Sequence, residues 1–113
     1  MPGSKVEHAL IVHFFNYGEK FWLENARDLS ALFALESELE VALKQSEAGE
    51  VDGNEIAVNG EDGFIFMYGP DAEAMFKAVE NVLRASEVTK GGEITLRFGD
   101  AKDASAVRKV VKL

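Results

Sequence analysis

NEIAVNGEDGFIFMYGPDAEAMF, residues 54–76, decides the fold, because a strand, a glycine-rich turn, a second strand and a helix start follow one another without a gap. Ile56 and Val58 alternate with Glu55, Ala57 and Asn59, the period of a half-buried strand. Asn59-Gly60 and Asp62-Gly63 supply residues that tolerate positive φ, so the chain can reverse before Phe64-Ile65-Phe66-Met67-Tyr68. A hairpin is expected, with Gly63 as a turn position able to take positive φ and Phe66 as a core aromatic of its second strand. Gly69-Pro70-Asp71 then ends that strand and opens a helix, since proline suits a first helical turn and Asp71 and Glu73 suit the positive end of the helix dipole. Ala72, Met75, Phe76, Val79, Val82 and Leu83 recur at helical spacing along one face.

Upstream, VEHALIVHFF (residues 6–15) is apolar on both sides: Val6, His8, Leu10, Val12 and Phe14 on one, Ala9, Ile11, His13 and Phe15 on the other. Such a segment belongs in the middle of a sheet. Residues 16–27 hold Tyr17, Phe21, Trp22 and Leu23 around Gly18-Glu19-Lys20 without a clean period, which reads as a loop or short irregular helix. Asn25 or Asp28 can cap the next helix, which runs to about Ser46 with Leu29, Leu32, Leu35, Leu39 and Leu43 at steps of three and four. Downstream, Lys90-Gly91-Gly92 turns into a strand over residues 93–98, and residues 107–113 read as a last strand.

The order is βαββαβ followed by one more strand, the split βαβ or ferredoxin-like pattern of an α+β sandwich: two helices on one face of an antiparallel sheet, with the extra C-terminal strand at an edge. Residues 1–113 are expected to form a single domain. Two helices cover only one face, so the apolar residues on the other face of the central strands need another cover. The Tyr17–Arg27 segment, anchored by Phe21 and Trp22, is expected to supply it within the subunit or across a homodimer.

The segment of residues 54–76, together with LFALESELE upstream, resembles a family of small bacterial proteins without an assigned activity. The resemblance spans roughly residues 6–98 and implies the fold and a bacterial source, with no catalytic residues to carry over. Residues 18–27 are longer here than in that pattern.

Composition removes several functions. With no cysteine, disulfides, thiolate zinc sites and cysteine nucleophiles are impossible, which fits a reducing cytoplasm. No apolar run approaches the length of a membrane span and residues 1–5 lack a signal-peptide pattern, so a cytoplasmic protein with no membrane partner is expected. Twelve basic against twenty acidic residues give a net charge of -8, unfavourable for nucleic acid. Gly63-Phe64-Ile65-Phe66 with Val12-His13-Phe14-Phe15-Asn16 partly resembles the aromatic motifs of RNA-recognition domains, but Asp62 stands where a basic residue is usual and Ile65 where a small one is.

Among single residues, His8 and His13 are five apart on a strand and point to opposite faces, so they cannot share a metal. Glu36 and Glu40 lie on one helical ridge with Lys44 four residues beyond Glu40, the spacing of a salt-bridged solvated face. Glu50, Asp52, Asn54 and Glu55 have the composition of a calcium loop but not its ligand spacing. No cofactor, metal site or catalysis is expected. The expected function is an acidic binding or regulatory module that forms a homodimer or docks a basic protein. The alternative is a small-molecule binder or enzyme of the dimeric ferredoxin-like type, with a pocket near His13 on the open sheet face. In either case the candidate contact residues are His13, Phe15, Tyr17, Phe21, Trp22 and Tyr68.

Overall fold

A computed structural model describes residues 7–23 and 26–113. Its elements are β1 (His8–Phe15), α1 (Tyr17–Phe21), α2 (Ser30–Ser46), β2 (Glu50–Ile56), β3 (Asp62–Gly69), α3 (Ala72–Ala85), β4 (Glu93–Phe98) and β5 (Val107–Lys112). The chain is α+β, with a five-stranded open sheet in the order β2-β3-β1-β4-β5, every neighbouring pair antiparallel. β1 lies at the centre, as its two-sided apolarity requires.

Alternation sorts the sheet into two faces. Leu10, Val12 and Phe14 of β1, Ile65 and Met67 of β3, and Ile94 and Leu96 of β4 are fully buried against Leu32, Leu39 and Leu43 of α2 and Met75, Val79 and Leu83 of α3. Each such side chain contributes about 1.5–3 kcal/mol by leaving water, so this layer holds the domain together. Phe66, expected in this core, alternates onto the opposite face and is only partly buried; the strand aromatic fully buried in the core is Phe14.

The helix ends are set by specific bonds. Asp71 caps α3, accepting from the N–H groups of Glu73 (3.0 Å) and Ala74 (3.3 Å), and His8 Nδ1 accepts from the Ala72 N–H at 3.0 Å. Asp28 accepts from the Ser30 N–H at 2.8 Å, and hydrogen bonding by the Ser30 side chain, followed by this N–H, holds its carboxyl below the usual range. Asn25, the other cap candidate, and Val6, the expected start of β1, lie outside the described residues.

Two strand expectations change. β2 begins at Glu50 and ends at Ile56, with a bulge between Val51 and Gly53, and Val58 stands 74% exposed in the turn. Gly63 does not have positive φ, whereas Gly60 does, at 74°. What Gly63 requires is space: a Cβ there would lie 2.5 Å from the Phe14 ring and 2.6 Å from the Glu55 carbonyl oxygen. No described helix is long and apolar enough to cross a membrane.

Candidate functional site

The face away from the helices carries a run of aromatics across β1 and β3. The His13 ring stacks on Phe64 with centroids 4.2 Å apart and planes 14° from parallel, and lies 4.3 Å from the Phe15 ring. Phe64 in turn stacks on Phe66 at 6.0 Å. Tyr68 continues the same side of β3, opposite Ala9 in the register. All of these side chains are partly exposed. Grouped this way, they put a contiguous aromatic patch on a partly exposed sheet face.

Asp62 fixes the end of the run. His13 Nε2 and Asp62 Oδ2 are joined by a 2.8 Å hydrogen bond, with the side chains 27% and 41% exposed. A carboxylate at that distance orients the imidazole and fixes which ring nitrogen carries the proton. On the other side of β1, Glu93 pairs with Lys112 at 2.7 Å, and that ammonium holds the Glu93 carboxyl below its ordinary range.

The remaining candidates lie elsewhere, which corrects the expectation that Tyr17–Arg27 covers this face within the subunit. Tyr17 is fully buried in the helix-side core, its ring 6.0 Å from that of Phe14. Its hydroxyl donates to the Asp28 carbonyl at 2.9 Å and accepts from the Leu32 N–H at 3.3 Å, so it serves as a cap for α2. Burial raises the Tyr17 pKa. Phe21 lines a groove of ≈ 940 Å³ between α2 and α3, beside Leu35, Ala42, Val82 and Val88. Trp22 packs against the helix-side core and sits over two close glycines: a Cβ on Gly18 would meet its ring at 2.9 Å, one on Gly60 at 2.7 Å. Its Nε1–H donates to the Asp28 carbonyl at 3.1 Å, and the Arg27 guanidinium lies 5.8 Å from the ring centre. The segment is thus drawn to the helix layer because Tyr17 finds its polar partners there. Lys20 reinforces this, donating to the carbonyls of Glu87 and Lys90 at 3.0 and 3.1 Å.

The structure therefore brings His13 and Phe15 together, places Tyr68 further along the same face, and sets Tyr17, Phe21 and Trp22 apart from them. It adds Phe64 and Phe66, whose signal was available: they share the parity of Tyr68 on β3. Glu36 does not join a solvated ion-pair ridge. It accepts from Asn54 Nδ2 at 2.8 Å, and burial raises its pKa, with Glu40 adding to the effect. No Glu40–Lys44 ion pair occurs among the described residues. Nor do three or more metal-ligating side chains gather among them. Compared with known proteins, the chain matches no family model, no curated protein and no solved structure. The resemblance of residues 54–76 thus gains no named relative.

Proposed function

We propose that the chain is a non-catalytic association module of ferredoxin-like architecture that binds another protein surface through the open face of its sheet. One observation carries the reading: the rings of His13, Phe15, Phe64 and Phe66 form a connected run on a face that Tyr68 extends along β3, and the segment that would have covered it is committed to the helix layer. Aromatic side chains anchor interfaces well, since they bring large apolar area with few rotatable bonds.

A second reading, a small-molecule binder or enzyme using His13 as its acid-base group, draws on the His13–Asp62 hydrogen bond. It needs a further wall to enclose a ligand. Tyr17 and Phe21 do not provide one, being packed on the other side of the sheet.

A photoreactive benzophenone side chain at position 66 tests the first reading in the native cell. Protein adducts at position 66, absent when the probe stands at Val58 in the exposed turn, are the expected result. Illumination that yields no protein adduct at position 66 would overturn it.

A further inference from the structure

The cross-strand register lays the open face out in rows running from edge to edge. One row reads Glu50, Tyr68, Ala9, Arg97, Arg108. Another, four residues along β1, reads Glu55, Phe64, His13, Glu93, Lys112. Both start in a carboxylate on β2 and finish in a cation on β5. The edge strands repeat this as wholes: β2, EVDGNEI, has three acidic residues and no basic one, while β5, VRKVVK, has three basic residues and no acidic one. In a chain of net charge -8, a strand of charge +3 along one edge is out of proportion, and its counterpart of -3 lies at the opposite edge.

We propose that a second copy of this chain covers the open face, sheet against sheet, about a two-fold axis parallel to the strands and passing over β1. The proposal rests on the association reading above and specifies the partner and its orientation. Such an axis exchanges the two edges of the sheet but leaves position along the strands unchanged. β1 therefore faces β1 of the second copy, β3 faces β4, and β2 faces β5. Glu50 comes opposite Arg108 of the second copy, Glu55 opposite its Lys112, and each contact occurs twice. Facing sheets lie about 10 Å apart at about 30°, a gap that glutamate, arginine and lysine side chains span from the two sides.

Other arrangements of two copies fit less well. A two-fold axis across the strands would set β2 on β2, three carboxylates over three carboxylates, and β5 on β5. Pairing the β5 edge with the β2 edge of the next copy would match charge but is head-to-tail and continues into filaments; the bulge at Val51/Gly53 also breaks the β2 ladder. The face measures roughly 24 Å by 20 Å from strand spacing and rise, the low end for a specific interface. The dimer should accordingly be weak, in the micromolar range, and sensitive to its edge charges. The repulsion between two chains of charge -8 is screened over about 8 Å at physiological salt, so contacts at the interface outweigh it.

Glu50 and Arg108 are exposed and make no ion pair among the described residues, so changing them spares the fold. Sedimentation and light scattering of the wild-type chain should show a concentration-dependent dimer. Glu50→Arg and Arg108→Glu should each weaken it by about tenfold or more, roughly 1.4 kcal/mol or above, because like charges then face each other twice. An equimolar mixture of the two variants should recover wild-type association, since every edge contact again joins opposite signs; circular dichroism shows that both are folded. A wild-type chain that stays monomeric at hundreds of micromolar overturns the proposal, as does a mixture no stronger than its components, or mass growing past the dimer. Phe66→Lys separates this proposal from the broader reading. If the edge variants leave a dimer unchanged and Phe66→Lys disrupts it, the axis is wrong and association through the face stands. If Phe66→Lys also leaves it unchanged, the two copies do not meet through this face and the proposal is wrong, while the adduct test at position 66 decides the broader reading.

Discussion

Tyr17 shows how one side chain decides where a segment goes. Its ring satisfies the helix-side core, and its hydroxyl supplies the acceptor that the orphan Leu32 N–H in the first turn of α2 needs. Tyr17→Phe keeps the ring and removes both hydrogen bonds, so a buried donor is left unpaired. The expected loss is about 1–3 kcal/mol, read from chemical denaturation with an unchanged denaturant slope. A second comparison separates the two faces of the sheet. Phe14→Ala empties a fully buried site and should cost about 3–5 kcal/mol, whereas Phe66→Ala, on the open face, should cost clearly less in the monomer. Equal losses for the two, measured at concentrations where the chain is monomeric, would place Phe66 in the core after all.

At the scale of elements, α2 and β2 are linked through Glu36 and Asn54, and this link has a pH signature. The Glu36 pKa is raised by burial, with an opposing effect from the Asn54 amide and a smaller rise from Glu40. A folded pKa above the unfolded one means that the native state holds the proton more tightly, so stability falls as pH rises through that interval. Glu36→Gln keeps an acceptor for Asn54 and removes the charge. It should be more stable than wild type at pH 7, with the difference vanishing below the ordinary carboxylate range; thermal melts across that pH interval check it. Most element boundaries were legible because period and turn residues agreed: β4 over residues 93–98 and the leucine face of α2 needed nothing more. β2 was misread because Val51-Asp52-Gly53-Asn54 has the composition of a turn, and the ladder passes through it only by a bulge. The aromatic surface was half legible. Parity placed His13 and Phe15 on one side and left open which alternate set of β3 joins them, and nothing local in Tyr17-Gly18-Glu19-Lys20-Phe21-Trp22 shows that its polar groups have partners at Asp28, Leu32, Glu87 and Lys90.

For the whole molecule, the distribution of charge matters more than its sum. Stacked aromatics on an open antiparallel sheet are the arrangement on which single-stranded nucleic acid lies in many proteins, where each stacked base contributes about 1–3 kcal/mol. Here the platform is flanked by Glu50 and Glu55 on β2 and closed at its end by Asp62, hydrogen-bonded to His13 itself. Of the cations on the other flank, Lys112 is paired with Glu93, and the buried Arg97 donates from Nε to the Gly99 carbonyl at 2.8 Å. A backbone following the aromatic run would pass four carboxylates and meet one cation, Arg108, without such a partner among the described residues. Counterion release, the main source of affinity for a phosphate chain, needs several cations along one track. Fluorescence anisotropy with a labelled single-stranded RNA at low salt should therefore show no binding in the micromolar range. Binding at that level that weakens as salt is raised would mean that the basic strand β5 works independently of the acidic edge opposite it. Replacing Glu50 and Glu55 with lysine makes the test sharper: affinity should appear only in that variant if the carboxylates are what excludes the phosphates.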